Sequence, residues 1–329
     1  MIRTILVNGT FRSGSGVVND YLSSREDFSN PLGDNEFRIV SDPMGLQYLY
    51  NICYNNPGLL SSAYGFDQYI RYISNLQKYT SYLAPNIKGK LYNKKLITIT
   101  NKFIKNITKL NYYAMPHYSK VNLTFSDEIK YKIALKLKKE NKDTKFTNII
   151  IPKDKKFFIK EAKNYLEKII KEATIHKIKT QNIVLNNAID VFNLIDASKF
   201  FKNPKIIIVQ RDPRDIFSSM KMGKAGAAPY YDVNIFIDWY KHFFCGENFK
   251  KILRNKKILK IDFENFVTNF DKENERLCKF LGVTKKFKLQ NESSFNLKVS
   301  KKNIAKSKKN LSKYEISQIQ RKLSKYLKW

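Results

Sequence analysis

One stretch near the start of the chain decides how the rest is organised, and it reads Ile5-Leu6-Val7-Asn8-Gly9-Thr10-Phe11-Arg12-Ser13-Gly14-Ser15-Gly16-Val17. An apolar run that begins at Ile2 predicts a buried strand. The three glycines then predict a turn, and residues 17–22 resume at helical spacing. A strand, a glycine loop and a helix start direct backbone N–H groups and the positive end of the helix at one point. Proteins hold phosphate and other tetrahedral oxyanions in this way.

The stretch differs from the common phosphate loop G-x-x-x-x-G-K-[ST] in an informative way. Gly9 and Gly14 match its glycines, but Ser15 and Gly16 stand where Lys and Ser or Thr should be. The lysine for the β- and γ-phosphates and the hydroxyl for Mg²⁺ are therefore missing, and the strong cation inside the loop is Arg12. We expect an anion site that needs no metal. An ordinary glycine turn between strand and helix is the alternative.

The composition predicts a folded protein with a strongly positive surface. Of 329 residues, 43% are hydrophobic and 14% aromatic, which excludes a disordered chain and allows one domain or two. The net charge of +32 comes from 51 lysines and only 10 arginines, so a lysine-coated surface is favoured over dedicated nucleic-acid binding. A positive field would still attract an anionic cofactor or acceptor.

Several classes of protein are disfavoured by simple features of the chain. The cysteines Cys53, Cys245 and Cys278 lie far apart, so neither a metal site nor a disulfide framework is supported. The first residues run directly into the predicted strand, which leaves no room for a signal peptide. No apolar run approaches the ~18 residues that span a bilayer. We therefore expect a soluble, cytoplasmic protein without a membrane span.

Strands and helices alternate along the rest of the chain. The predicted strands are residues 36–40 (a short strand or a strand exit), 183–185, 204–210 and 257–261. The predicted helices are residues 44–54, residues 157–175, one that begins at Pro213, one from about Asp271 to Leu281, and a last one that starts at the capping box Ser312–Glu315. This alternation predicts an α/β protein with a doubly wound, mostly parallel sheet flanked by helices. Ligands of such sheets bind beyond the carboxyl ends of the strands, where Arg12 and Arg211 would both lie.

The phosphate loop and a second motif together resemble the sulfotransferases that use 3′-phosphoadenosine-5′-phosphosulfate (PAPS). Arg12-Ser13-Gly14-Ser15-Gly16 resembles their 5′-phosphosulfate loop. The strand at 204–210, followed by Arg211, is similar to their 3′-phosphate motif. In that motif an arginine at the strand end and a serine eight residues later hold the 3′-phosphate, and Arg211 and Ser219 keep this spacing.

Two later segments extend the resemblance. Glu264 lies in residues 262–267, which look like the family's Tyr-Glu-Asp-Leu segment after a late strand. The basic residues 301–309 resemble the C-terminal segment that closes over the nucleotide. Residues 60–180 match no motif of the family.

The resemblance implies a P-loop NTPase-like sulfotransferase fold. Residues 1–329 would form a single domain, with 60–180 as a helical insertion that forms the acceptor-binding region. The implied donor is PAPS, without a metal, and backbone N–H groups of the loop would hold its 5′-phosphosulfate. Arg12 would stabilise charge on the leaving phosphate oxygen, while Lys306 or Lys308 would close over the nucleotide. The expected cofactor-binding residues are Arg12, Ser13, Gly14, Ser15, Gly16, Val17, Arg211, Ser219, Lys306 and Lys308.

The resemblance also suggests the catalytic base. Many cytosolic members use a histidine shortly before the 3′-phosphate strand, and residues 185–190 contain none. Carbohydrate-directed members often use a glutamate some two dozen residues after the loop, and Glu36 stands 24 residues after Arg12. We expect Glu36 to deprotonate the acceptor hydroxyl, although an ion pair with Arg38 is its alternative role. This comparison and the tyrosine-rich middle favour a glycan acceptor.

Two other functions remain open on the sequence alone. A divergent P-loop kinase or NTPase would need Mg²⁺ and a γ-phosphate. The missing Lys-Ser/Thr pair argues against such an enzyme. A basic protein that binds nucleic acid or another polyanion would need basic residues interleaved with stacking aromatics on one surface. The ordered motifs point instead to a pocket, so we expect no specific nucleic-acid partner.

Overall fold

The structure is a computed structural model that describes residues 2–9, 11–78, 92, 95–114, 125–136, 147–173, 175–224, 228–285 and 295–329. The chain divides into two compact units. The first unit comprises Met1–Phe37, Tyr82–Asn86 and Ala173–Trp329, and the second comprises Arg38–Ser81 and Ile87–Glu172.

The strands, in chain order, are β1 (Arg3–Gly9), β2 (Thr108–Ala114), β3 (Thr147–Pro152), β4 (Asn182–Asn186), β5 (Lys205–Gln210) and β6 (Ile258–Asp262). The helices are α1 (Ser15–Ser24), α2 (Leu46–Tyr54), α3 (Leu59–Lys78), α4 (Leu96–Ile107), α5 (Phe125–Lys136), α6 (Lys155–Lys171), α7 (Leu194–Ser198), α8 (Pro213–Gly223), α9 (Val233–Phe244), α10 (Glu247–Arg254), α11 (Phe263–Thr268), α12 (Phe270–Leu281), α13 (Leu297–Lys301), α14 (Ser307–Asn310) and α15 (Lys313–Lys322). None of these helices, within the part of the chain that is described, is long and apolar enough to cross a membrane.

The first unit is built on a parallel sheet with the strand order β4-β1-β5-β6. β1 is paired on both sides, so that Leu6 lies opposite Leu185 of β4 and Ile206 of β5. Ile5 and Leu6 point to opposite faces and are both fully buried, which requires that both faces of the sheet be covered. The predicted α/β architecture with a parallel sheet flanked by helices is confirmed.

One face of this sheet packs against α1, α11 and α12. Val7 and Ile207 of the sheet meet Val18 of α1, Phe263 of α11 and Leu277 of α12 in one buried cluster. A large apolar side chain that is fully buried contributes roughly 1.5–3 kcal/mol. The cluster therefore fixes the start of α1 and the end of β6 against the same sheet, and both lie beside the phosphate loop.

Most of the predicted elements of the first unit are confirmed. The three predicted strands after residue 180 correspond to β4, β5 and β6, and the helix predicted to begin at Pro213 is α8. α12 ends at Leu281 and is capped by Gly282, whose left-handed backbone has a φ of 65°. α15 begins with the predicted capping box, in which Ser312 and Glu315 bond to each other's backbone N–H groups.

Residues 36–40 do not form the predicted strand. Glu36 alone pairs with the sheet, through an isolated parallel bridge to Asn186, so the strand-exit alternative fits it. The chain then turns, because the backbone N–H of Asp42 donates to the carbonyl of Arg38 at 2.9 Å. The Arg38 Nε also donates to the Asp42 carboxylate. Proline at position 43 favours this break in the extended chain.

The second unit combines helices α2–α6 with an antiparallel pair of strands, β2 and β3, that the sequence analysis did not predict. Its core contains tyrosines whose hydroxyl groups are bonded to one another. The Tyr69 hydroxyl donates to that of Tyr165 at 2.7 Å, and Phe103 stacks on Tyr165 at 4.4 Å between ring centroids. Both tyrosines are buried. They belong to the core, so they add nothing to the argument for sugar stacking.

Candidate functional site

The phosphate loop connects β1 to α1 through residues with left-handed backbone. Phe11, Arg12 and Gly14 have φ values of 36°, 49° and 85°, and Thr10 lies outside the described residues. Residues other than glycine rarely adopt such φ values, and each non-glycine residue that does so costs of order 1–3 kcal/mol. The exposed Phe11 ring makes an edge contact with Trp239, at 5.4 Å between centroids, which offsets part of this cost.

Close packing inside the loop explains two of its glycines. A Cβ atom on Gly9 would lie 2.5 Å from the Ser13 Oγ and 2.6 Å from the Ser15 Oγ. A Cβ atom on Gly14 would lie 2.4 Å from the Phe263 ring. Both serines therefore fold back over the end of β1, and the start of α1 rests on α11.

The loop contains a buried donor that is available to a ligand. Ser13 is 1% exposed, and its hydroxyl has no hydrogen-bond partner among the atoms that the structure describes. Gly14 caps α1 without a side-chain hydrogen bond, and the first turn of this helix carries no acidic residue. An oxyanion at this point would accept from the hydroxyl and from the N–H groups at the positive end of α1.

Arg211 links this loop to the end of β5. Its Nη1 donates to the Arg12 carbonyl at 3.0 Å and to the Ser219 Oγ at 3.1 Å. Its Nη2 donates to the Asn303 carbonyl at 2.5 Å, while its Nε has no partner among the described atoms. Burial lowers the pKa of Arg211. The structure thus brings together Arg211, Ser219 and the loop.

The turn that carries Arg211 is held by buried carboxylates. Asp212 caps α8 by accepting from the backbone N–H of Arg214, and it also forms a bidentate pair with the Arg214 guanidinium. The backbone N–H of Asp212 donates to the Glu264 Oε1 at 2.9 Å. Burial raises the pKa of Glu264. Glu264 therefore orients the turn that carries Arg211.

The basic segment at 301–309 is attached to the first turn of α8. The Asp215 carboxylate accepts from the backbone N–H groups of Ala305 at 2.8 Å and Ser307 at 2.9 Å. The half-buried Lys306 lies between these two anchored residues. The Lys308 ammonium lies 4.8 Å from the centroid of the Trp329 ring. The closing role that we expected of either lysine stays a prediction.

Glu36 lies near the carboxyl end of the sheet. Its Oε1 accepts from the Asn187 Nδ2 at 2.7 Å, and the Asn187 Oδ1 accepts from the backbone N–H of Gly9 at 3.0 Å. One amide group therefore joins the expected base to the residue that opens the phosphate loop.

Sequence reasoning missed two residues of this site. Asp215 could have been found from the motif Arg-Asp-Pro-Arg-Asp, in which a second aspartate falls in the first helical turn after Pro213. Asn187 gave no signal, because an asparagine after a short strand is ordinary turn chemistry. No group of three or more His, Cys, Asp or Glu side chains within the described residues could hold a metal ion.

Comparison with known proteins identifies the family. The model of the "Sulfotransferase family" matches residues 111–287, which is more than half of the chain. The chain belongs to the sulfotransferase family. Membership indicates a transferase that uses a small-molecule donor and an acceptor. The matched residues include Arg211, Ser219 and Glu264 but neither the phosphate loop nor Glu36.

Solved structures of sulfotransferases are similar to this sulfotransferase at low identity. The sulfotransferase domain of the Synechococcus PCC 7002 olefin synthase is 13% identical, with a TM-score of 0.40 and coverage of 98% of this chain and 94% of that one. The sulfotransferase domain from the curacin biosynthetic pathway is 12% identical, with a TM-score of 0.40 and coverage of 98% of both chains. The sulfotransferase STF1 of Mycobacterium tuberculosis is 10% identical, with a TM-score of 0.36 and coverage of 93% and 77%. No curated protein sequence matches the chain significantly.

Proposed function

We propose that this sulfotransferase transfers a sulfuryl group from PAPS to an acceptor hydroxyl, with a carbohydrate as the expected acceptor. The observation that carries the proposal is Arg211, which contacts both the phosphate loop at the end of β1 and Ser219 of α8. Two oxyanion sites joined by one guanidinium suit a nucleotide that carries phosphate groups at two positions. Family membership supplies the reaction class.

The residues present fit such a donor. The buried Ser13 hydroxyl, which has no partner among the described atoms, and the N–H groups at the start of α1 suit the 5′-phosphosulfate. The Nε of Arg211, likewise without a described partner, suits the 3′-phosphate together with Ser219. A guanidinium is always charged in proteins and binds phosphate oxygens in a fixed fork geometry. The donor supplies a sulfuryl group that is already activated as a mixed anhydride with the 5′-phosphate.

The chain's own residues would bind the donor and move one proton. Glu36 takes the proton of the acceptor hydroxyl, and the acceptor oxygen forms its new bond to sulfur. The bond between sulfur and the 5′-phosphate oxygen breaks, and its electron pair stays on the phosphate. Arg12 stabilises that charge, as do the N–H groups from Ser13 to Val17. The products are a sulfate ester and 3′,5′-adenosine bisphosphate.

The proposed acceptor site is in the region 60–180, which we propose as an insertion in a single sulfotransferase domain. The position of Glu36 after the loop favours a carbohydrate, as in the carbohydrate-directed members that the sequence resembles. Burial of Tyr69 and Tyr165 removes these residues from the argument for sugar stacking. The carbohydrate assignment therefore needs a direct test.

The test is a turnover assay with PAPS and three acceptor panels: mono- and disaccharides, phenols, and aliphatic alcohols. EDTA is present throughout, because the proposed site uses no metal. We expect 3′,5′-adenosine bisphosphate and a sulfate ester to form in equal amounts, with saccharides as the best acceptors. Turnover with phenols or alcohols alone would overturn the carbohydrate assignment. Absence of PAPS turnover with every panel would count against the proposed donor.

A further inference from the structure

Asn187 follows the last residue of β4 in an unusual backbone conformation. Its φ is 43°, in the left-handed region that asparagine adopts more readily than most residues. Its backbone N–H donates to the Val7 carbonyl at 2.8 Å, so the chain stays beside β1 for one residue after β4 ends. The position of its Cβ atom relative to the end of β1 is therefore fixed by the backbone.

The side chain of Asn187 uses both ends of its amide. Its Oδ1 accepts from the backbone N–H of Gly9, and its Nδ2 donates to the Glu36 Oε1. An ionised aspartate could only accept and a lysine could only donate, so a carboxamide suits this pair of partners. A hydrogen bond to a carboxylate is also shorter and about twice as strong as a neutral one. The observed 2.7 Å fits this description.

The backbone at Glu36 is held by Asn186, the residue that precedes Asn187. The backbone N–H of Phe37 donates to the Asn186 carbonyl at 3.1 Å, and Glu36 forms its isolated bridge with the same residue. Asn186 thus fixes the backbone at Glu36, and Asn187 fixes its carboxylate.

We propose that Asn187 is a positioning residue that aligns the Glu36 carboxylate with the phosphate loop. This proposal rests on the proposed function, in which Glu36 is the base. A base must lie at a defined distance from the reacting hydroxyl, and a misplacement of about 1 Å can cost on the order of 10²-fold in rate. In this role Asn187 acts through Glu36.

Two substitutions separate the two hydrogen bonds of Asn187. Asn187→Ala removes both, whereas Asn187→Asp keeps an acceptor for Gly9 but replaces the donor with a carboxylate that repels Glu36. The control is Asn203→Ala, because Asn203 is exposed and has the same φ of 43°. We expect kcat with PAPS to fall roughly 10- to 100-fold in both Asn187 variants. Binding of 3′,5′-adenosine bisphosphate should change little in Asn187→Asp, and the control should behave like the wild type.

A double-mutant cycle with Glu36→Gln tests whether Asn187 acts through Glu36. We expect Asn187→Asp to slow turnover in the wild type but not in the Glu36→Gln background. Thermal unfolding gives a readout without PAPS. Asn187→Asp should lower the Tm more when Glu36 is present than in the Glu36→Gln background, because only a chain that keeps Glu36 then places two carboxylates side by side. Equal Tm losses in both backgrounds, or rate losses that multiply, would overturn the proposal.

Failure of this proposal can be distinguished from failure of the proposed function. A wild-type protein that turns over PAPS, with an Asn187→Asp variant that is equally fast, overturns the role of Asn187 alone. A wild-type protein that neither binds the bisphosphate nor turns over PAPS overturns the proposed function, and the positioning role is lost with it.

Discussion

The guanidinium of Arg211 donates a hydrogen bond to the backbone carbonyl of Arg12 at 3.0 Å, although the two residues are 199 positions apart in the chain. This bond joins the carboxyl end of β5 to the loop that follows β1. The same nitrogen contacts Ser219, so one side chain belongs to both proposed oxyanion sites. Loss of Arg211 should therefore affect the ligand at one site and the conformation of the loop at the other.

Arg211→Ala should remove the ability to recognise a 3′-phosphate. A charge-assisted hydrogen bond is worth roughly 1.5–3 kcal/mol, so affinity for 3′,5′-adenosine bisphosphate should fall about 10- to 150-fold. Affinity for 5′-AMP, which lacks that phosphate, should fall much less. Isothermal titration calorimetry with both ligands measures the difference. Arg254→Ala is the control, since Arg254 is an exposed arginine on α10. Equal losses for the two ligands would show that Arg211 does not read the 3′-phosphate.

Glu36→Gln should lower turnover while leaving donor binding intact. Glutamine keeps the shape of the side chain but cannot accept the acceptor's proton, and a positioned base typically contributes about 10²–10⁴-fold. Steady-state kinetics with PAPS and calorimetry with the bisphosphate separate the two effects. Glu247→Gln, at an exposed position of α10, serves as the control. A Glu36→Gln variant with wild-type kcat would remove Glu36 from the mechanism.

Gly14→Ala and Gly16→Ala should have opposite effects on stability. Alanine at Gly14 must adopt a φ near 85° and meets the Phe263 ring at 2.4 Å, which should cost at least about 2 kcal/mol. A Cβ atom on Gly16 meets nothing within 4 Å, so alanine there should stabilise the protein by up to about 1 kcal/mol. Urea unfolding measures both. Equal stabilities of the two variants would contradict the described geometry of the loop.

Asp20 on α1 should make stability depend on pH. Burial, followed by the charge of Asp34, raises the pKa of Asp20 to about 6. The folded protein therefore favours the protonated carboxylic acid of Asp20. The free energy of unfolding that this preference contributes is fully present below about pH 4 and is lost as pH rises through about 6. Asp20→Asn removes the loss, so the variant should gain stability relative to the wild type between about pH 4 and 7, by up to about 3 kcal/mol. Urea unfolding across this range gives the difference.

The Asp34→Asn variant is the matched test of the cause. Without the neighbouring negative charge, the midpoint of the pH dependence that Asp20 produces should move to lower pH. A difference between Asp20→Asn and the wild type that does not vary with pH would exclude Asp20 as its source.

The central sheet could be predicted because the interiors of β1, β4 and β5 are buried. These three strands are continuous apolar runs. Glycines encode the turn after β1, and Asp212 with Pro213 encodes the helix start after β5. Residues 36–40 were harder to predict, since Phe37 and Ile39 are apolar and buried without belonging to a strand. The pair β2 and β3 was missed because the two strands are far apart in sequence.

The candidate site likewise has a part that could be predicted from the sequence and a part that could not. Arg211 and Ser219 could be paired because their spacing matches the 3′-phosphate motif that this segment resembles, with Arg211 just before α8 and Ser219 within it. The contact between Asn187, Gly9 and Glu36 arises only when β4 pairs with β1, so no local pattern reveals it. Attachment of Ala305 to Asp215 likewise depends on packing between distant segments.

The most direct test of the proposed function is binding of 3′,5′-adenosine bisphosphate to the full chain in EDTA, followed by thermal unfolding. A ligand that binds only the folded state raises the Tm by mass action. We predict a Tm increase with the bisphosphate and a smaller increase with 5′-AMP. Neither increase should require Mg²⁺. A Tm increase with ATP and Mg²⁺ but not with the bisphosphate would contradict the account and favour a kinase or NTPase.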